Sequence, residues 1–345
     1  MHMTDTTGAV VKSESEIGGG LSPRQAKKQR MKSMTAEEKG YLRRKAVMDA
    51  VWPVFRFVIL FGLGFVILYP LIYMVSCAFR ERADMTDPTV MWIPRHFTLN
   101  IIKETMTAMD FWNTLKTTLV LNIGCSLVQV VSCALTGYGF ARFKFRFKGL
   151  LFGIVIMMIL VPPQVIALPL YTQFRYFGIR GLFTVNLIDT MWTMYLPAIT
   201  GNGIRSGLMI LIFRQFFRGL PKELEDAAYI DGCGPLKTFI RVMIPNAGSA
   251  FLTVFLFSVV WYWNDYYVSS TFFVNTSTLA RMLTNLDTEL ELRLFNSASV
   301  EISPREQIVW KEAGCLLSIT PILALYVCLQ KYFTEGIARS GITGI

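Results

Sequence analysis

Uncharged, strongly apolar stretches recur along the chain at residues 57–79, 117–141, 149–174, 242–264 and 313–330. Each is near or above the roughly 18–20 residues that carry a helix across the hydrocarbon core of a bilayer. A sixth span fits between Asp189 and Arg218, but Arg205 interrupts it and Gly201-Asn202-Gly203 is poor helix sequence, so a broken or shortened helix is expected there. Pro162-Pro163 and Pro169 kink the third stretch, either as a bend alone or by unwinding it to present backbone carbonyls to a solute. Nothing alternates with period two for long enough to suggest a barrel. The pattern predicts an all-α polytopic membrane protein of six transmembrane helices, since a helix satisfies its own backbone groups in lipid.

Composition agrees with that reading. Of 345 residues, 53% are hydrophobic and only 17% charged, against roughly 25% charged in soluble domains, which excludes an ordinary soluble fold. The net charge of +10 is unevenly placed. With the N-terminus inside, segments 1–56, 142–148, 214–241 and 331–345 hold 22 of the 34 basic residues, and Arg142, Lys144, Arg146 and Lys148 crowd one short acid-free connection. The positive-inside bias therefore puts both termini in the cytoplasm and makes the charge a record of orientation in the cell membrane, with no call for a nucleic-acid partner. Residues 1–52 are polar, contain Gly18-Gly19-Gly20 and a basic run from Arg24 to Lys45, and lack the apolar core of a signal peptide. They read as a basic cytoplasmic tail near lipid headgroups or as a partner-binding arm, ahead of a membrane domain over 53–345. Six scattered cysteines and only His2 and His96 give neither a disulfide framework nor a metal or imidazole centre, so no cofactor, no metal site and no catalytic residue are expected.

The connection at 220–245, LPKELEDAAYIDGCGPLKTFIRVMIP, is the most informative segment. Pro221 suits a first helical position, and Glu223, Glu225 and Asp226 put negative charge where a helix N-terminus is electropositive. Gly232 can adopt the left-handed conformation that stops this first helix. Pro235 can begin a second, with Leu236, Phe239, Ile240 and Met243 spaced to share one face and Pro245 marking its end. Small Ala227 and Ala228 allow close approach by another protein. The whole reads as a cytoplasmic docking knob.

Asp226-Ala227-Ala228, three residues, Gly232, nine residues, then Val242-Met243-Ile244-Pro245 resembles the EAA loop of ABC importer permeases, E-A-A-x3-G-x9-I-x-L-P, with Asp for Glu, Val for Ile and Ile for Leu. Other strings are similar to the carbohydrate, maltose-type branch of that family in its second-subunit form. They are Trp92-Ile93-Pro94 with Phe97-Thr98-Leu99-Asn100, Tyr138 to Phe143, Ile159 to Gln164, Arg214-Gln215-Phe216-Phe217, Trp263-Asn264-Asp265-Tyr266 and Gln330 to Ile337. The resemblance covers about residues 50–345, with a core module near 112–333. The stretch 271–312 is longer and more acidic than is usual in the family.

The resemblance implies the type I importer fold and a division of labour. The chain has no G-x4-G-K-[ST] loop to cradle nucleotide phosphates, so ATP hydrolysis would belong to a separate ATP-binding cassette dimer, and this chain would not be an enzyme. It would form half of a passage for sugars or oligosaccharides with a homologous second permease, fed by an extracytoplasmic sugar-binding protein. Glu225, Asp226, Ala227, Ala228, Gly232, Leu236, Phe239, Ile240, Met243 and Pro245 would serve the ATPase contact. Trp263, Asn264 and Asp265 either anchor at the lipid interface, as aromatic residues near membrane surfaces often do, or line the passage, with Trp263 stacking on sugar. A buried carboxylate near a span's end needs a partner or water, which favours the passage. Arg205 faces a water-filled cavity, pairs with an acid such as Asp189, or lies outside the span. A secondary transporter or channel would call for inverted repeats and several ionisable groups within spans. A membrane enzyme would need a converging His, Cys or acidic cluster. An importer for a non-sugar solute shares the bare EAA spacing but not the longer strings.

Overall fold

The computed structural model describes residues 35–87, 89–90, 92–179, 182–293 and 303–342. The expected tail up to residue 34, with its glycine run, and the middle of the long acidic stretch (294–302) lie outside the described residues.

The chain divides into two compact units, 1–70 and 71–345. The first is represented by most of helix α1, Ala36–Ala78, whose 43 residues run on through Pro53 and Pro70. Its apolar residues from Val47 to Tyr69 are exposed on every side, as expected for a helix that meets lipid all round. The helix starts inside the segment read as tail.

The second unit is organised around α4, Phe111–Arg142, a 32-residue helix with one deeply buried face. That face carries Thr114, Thr118, Asn122, Ser126, Gln129, Cys133 and Gly137 at helical spacing. Small and polar residues let neighbouring helices approach closely in a membrane and bond across the gap. Asn122 Nδ2 donates to the Val259 carbonyl at 2.8 Å, and the Thr118 hydroxyl accepts from the Leu279 amide at 2.9 Å. A Cβ on Gly137 would collide with Phe213 Cβ at 2.6 Å, so glycine is needed where α4 crosses the helix Ser206–Gly219.

After α4 the chain runs through α5 (Lys148–Leu160), α6 (Pro163–Arg175), the hairpin β1 (Phe177–Ile179) and β2 (Phe183–Val185), α7 (Trp192–Ile199) and α8 (Ser206–Gly219), of which α7 and α8 pack on α4. Then follow α9 (Glu223–Ile230), α10 (Pro235–Thr238), a π-helical turn at Phe239–Met243, α11 (Ile244–Asn246) and α12 (Gly248–Trp263). Among the described residues, three helices are long and apolar enough to cross a membrane, containing Val47–Ala78, Phe111–Arg142 and Pro304–Lys331. Two bent pairs, α5 with α6 at 105° and 235–246 with α12 at 82°, make five if each pair is one span. The expected kink at Pro162 is thus a full break: Pro162 is extended (ψ 140°) and Pro163 opens the next helix, because neither ring supplies an amide to continue the first.

The segment between Asp189 and Arg218 is broken as the glycines suggest. α7 ends at Ile199 and α8 begins at Ser206. A break inside a membrane bundle frees carbonyls that must find donors, and α4 supplies them. Ser132 Oγ donates to Ile199 O at 2.6 Å and Gln129 Nε2 to Ile204 O at 2.7 Å.

A lobe at one end joins α2 (Arg82–Thr86) and α3 (Asn100–Ala108) to α13–α15 (Tyr267–Phe272, Leu279–Thr284, Leu286–Arg293) and the start of α16 (Pro304–Ile342). Ile101, Met109, Leu286, Leu290 and Trp310 are its buried apolar centre. The Asp84 carboxylate accepts from the amides of Arg95 and His96, each at 2.8 Å, and meets His96 Nδ1 at 3.0 Å, pinning the Trp92–Asn100 segment onto α2. Asp189, at φ 64°, accepts from the amides of Val274, Asn275 and Thr276 and from Asn275 Nδ2. Burial raises the Asp189 pKa and these four donors overcome it, holding the carboxyl down at about 2.

Candidate functional site: an elbow and a cavity

The elbow at 220–246 is two short helical pieces around one glycine. α9 begins at Glu223, two residues after the expected Pro221, with Lys222 as its cap. Gly232 has φ 77°, the left-handed stop that its position predicts, and Pro235 opens α10. A Cβ at Gly232 would touch nothing within 4 Å, so only the backbone requires glycine there.

Burial sorts the predicted docking residues into two groups. Asp226, Ala227, Gly232 and Pro245 are exposed, as are Leu236 (65%) and Ile240 (53%). Glu225, Ala228, Phe239 and Met243 are buried within the chain. The expectation that Leu236, Phe239, Ile240 and Met243 share one face is therefore corrected. Phe239 and Met243 pack with Tyr138, Phe213 and Phe217, leaving Leu236 and Ile240 outside. Residues 239 and 243, four apart, share the side that packs on α4 and α8, and the π turn at 239–243 breaks the 3.6-residue period that would have kept 236 and 240 with them. Tyr229 and Ile230, which the sequence reading did not single out, join the exposed set, Ile230 at 86%.

Glu225 is the anchor. Tyr138 donates its hydroxyl to Glu225 Oε1 at 2.7 Å, and Arg142 Nε lies 3.2 Å from Oε2, an ion-pair contact whose alignment falls short of a hydrogen bond. The guanidinium's well-formed hydrogen bond is from Nη2 to Leu220 O at 2.7 Å. Both charged side chains are under 10% exposed. The last turn of α4 thereby grips both ends of the 220–225 segment. The sequence reading used Arg142 as a topology marker and as part of the Tyr138–Phe143 string, and missed the grip. The available signal was that a carboxylate flanking an Ala-Ala pair in a packed knob needs a cation.

The second feature is a cavity of about 720 Å³ bordered by α5, α6, the α7–α8 break, and the end of α12 with the start of α13. Arg205 lines it, at φ 57°. Arg205 has no ion-pair partner among the described residues, and the carboxylate of Asp189 is taken up by the 274–276 loop, so the Arg205–Asp189 pairing does not form. Asn264 and Asp265 also line the cavity. Trp263 does not: it is 7% exposed, sits in the apolar centre of the end lobe and donates Nε1–H to Ser318 O at 3.0 Å on α16. Neither the lipid-belt nor the sugar-stacking placement of Trp263 holds, because its one polar atom is satisfied inside the bundle. Behind the cavity wall Gln129 is fully buried, accepts from the Tyr262 hydroxyl and holds the break. A Cβ on Gly203 would clash with both side chains.

Residues 134–339 match the model of the family described as binding-protein-dependent transport system inner membrane component. The chain is similar to the maltodextrin transport system permease protein MdxG of Bacillus subtilis, 29% identical over 82% of this chain and 93% of the relative. It is also similar to the arabinooligosaccharides transport system permease protein AraQ of Halalkalibacterium halodurans, 24% identical with the same coverage of each chain. Among solved structures, a chain of a bacterial ABC transporter involved in the import of the acidic polysaccharide alginate superposes with a TM-score of 0.64 at 19% identity, over 83% of this chain and 97% of that one. That likeness speaks to the fold.

Proposed function

The chain belongs to the family of binding-protein-dependent transport system inner membrane components, and on that footing we propose that it is the membrane-spanning permease subunit of an ABC importer for oligosaccharides. Its relatives with saccharide-transport names, aligned over four-fifths of the chain, support the substrate class. The observation that carries the coupling role is the elbow. It presents Asp226, Ala227, Tyr229, Ile230, Leu236 and Ile240 outward while its root is fixed to α4 by Glu225, Tyr138 and Arg142.

The mechanism follows from rigidity. A separate ATPase subunit takes the exposed apolar and acidic surface of the elbow, with Asp226 meeting a cation of the ATPase. Closure of two ATPases brings the elbows of this chain and a homologous second permease together. Because the elbow root is tied to α4 through a buried charge pair, that displacement passes into the helix that organises the bundle, and access alternates by rigid-body motion. Six spans complete the topology when the α7–α8 segment is counted as a broken span. The basic 142–148 connection and the elbow then lie in the cytoplasm, as do both termini, and the lobe built of α2, α3, α13–α15 and the start of α16 meets an extracytoplasmic sugar-binding protein. The cavity beside Arg205, Asn264 and Asp265 is this subunit's share of the passage.

The test is ATP hydrolysis by the complete complex reconstituted with its binding protein. Hydrolysis is expected to rise several-fold with oligosaccharides. Stimulation by an amino acid or polyamine, and by no saccharide, would overturn the assignment.

A further inference from the structure

We infer that the cavity is a binding station for the carboxylate of an acidic oligosaccharide, and that Arg205 selects such a substrate over a neutral one. The inference rests on the saccharide-permease reading above and narrows it.

The difference between the partners of the cavity's two charged residues carries the argument. The cavity is lined by two charged residues, Arg205 and Asp265. Asp265 is already satisfied: Oδ1 accepts from the Val268 amide at 3.2 Å, and Oδ2 accepts from the Ser269 amide at 2.9 Å and the Ser269 hydroxyl at 2.7 Å. Its charge is spread over the first turn of α13. Arg205, by contrast, has no acidic partner among the described residues, and the nearest acid that the sequence offered, Asp189, is engaged by four donors of another loop. The cavity thus holds an arginine with no ion-pair contact among the described residues, beside a carboxylate whose oxygens already accept three hydrogen bonds. An intramembrane ionisable residue in that condition faces water or a ligand of opposite charge.

Backbone conformation points the same way. At φ 57° Arg205 occupies a region that favours glycine or asparagine. The chain passes Gly201, Asn202 and Gly203 just before, yet places arginine at this left-handed position. A strained, charged residue at the mouth of a helix break is a mark of function.

The rest of the lining suits a sugar. Gln164, Asn202 and Asn264 are exposed to the cavity and offer amides to hydroxyl groups, while Tyr266 and Tyr267 expose 41% and 37% of their surfaces. A guanidinium fork matches a carboxylate with two parallel hydrogen bonds, which a lysine ammonium cannot copy.

The experiment uses the complete importer in proteoliposomes. It measures ATP-dependent uptake of tetragalacturonate against its carboxyl-reduced neutral counterpart for wild type, Arg205→Lys, Arg205→Gln and Asn202→Asp, normalised to the amount of assembled complex. Wild type is expected to prefer the acidic probe. The acidic-to-neutral uptake ratio is expected to fall about tenfold or more in Arg205→Gln, to recover in part in Arg205→Lys, and to fall in Asn202→Asp, where a carboxylate is built in beside the cation. Uptake of the neutral probe alone by wild type, or an unchanged ratio in Arg205→Gln, would overturn the inference and leave the saccharide reading standing. Uptake of neither probe by a complex whose ATP hydrolysis another saccharide stimulates would likewise overturn the inference and leave the saccharide reading standing.

Discussion

At Glu225 a carboxylate 7% exposed meets the Tyr138 hydroxyl and the Arg142 guanidinium. Removing one partner of a buried pair leaves the other charge uncompensated, typically at about 3–5 kcal/mol. Glu225→Ala is therefore expected to lower the thermal stability of the purified importer sharply. Tyr138→Phe, which deletes one hydrogen bond to a charged acceptor, costs about 1.5–3 kcal/mol, and a double-mutant cycle reads the coupling. Additive effects in that cycle would contradict the grip. His96 offers a second test. Its pKa is raised by the hydrogen bond with Asp84 and by that carboxylate's charge. Burial of Asp84 works to raise the Asp84 pKa, but the donors from His96 and Arg95 prevail and its net shift is downward. The sign for His96 is that its stabilisation is complete below the unfolded value, about 6.5, and vanishes as pH rises through the raised folded value. Asp84 contributes above about 3.9 and loses that contribution as pH falls through its depressed value. The 92–98 segment is thus held best between about pH 4 and 6.5. Hydrogen-exchange protection of the Arg95 and His96 amides, corrected for intrinsic rates, is expected to fall from pH 6 to pH 9 in wild type and to lose that dependence in His96→Ala. Equal protection in wild type at both values would contradict it. The need of Glu225 for a cation was legible, but not that Arg142, 83 residues away, supplies it, and nothing local marks Asp84 as the partner of a histidine twelve residues on. The exposed placement of Asp226 gives the docking proposal its charged residue.

The elbow, as an element, was read closely from its punctuation. Gly232 and Pro235 act where their backbone preferences put them, φ 77° and helix position N1, because glycine and proline act locally. The face assignment from Leu236 to Met243 was not recoverable, since a five-residue π turn breaks the 3.6 period on which that reading depends. The same contrast holds at the other breaks. Gly201-Asn202-Gly203 and Pro162-Pro163 announced interruptions, but not the 105° turn between α5 and α6, which depends on what packs beside them. A Cβ at Gly232 meets no atom within 4 Å, so the cost assigned to Gly232→Val is that of its left-handed backbone, about 1–2 kcal/mol. The variant is expected to reach the membrane and assemble, hydrolyse ATP and import at under a tenth of the wild-type rate, because the elbow changes direction at that residue. Gly232→Asn, which tolerates the left-handed region, is expected to retain most import. Wild-type import by a Gly232→Val complex would remove the elbow from the coupling path.

At the scale of the whole molecule, the membrane class followed from long uncharged runs and the family from one loop with full spacing, since both signals are contiguous in sequence. What packing decides was hidden. Trp263 is drawn into the end lobe by its bond to Ser318, and α4 satisfies the carbonyls freed in the α7–α8 break through Ser132 and Gln129. The molecule that results has an exposed elbow, a cavity lined by Arg205 and Asp265, and a central helix with a small and polar buried face. Its central claim is that transport by this chain depends on an ATPase docked at the elbow. The direct measurement is oligosaccharide uptake into proteoliposomes holding this chain alone, then with the second permease and ATPase added, then with the binding protein, each with and without ATP. The account predicts no uptake until all components and ATP are present. Uptake by this chain alone, driven by an ion gradient and indifferent to ATP, would contradict it.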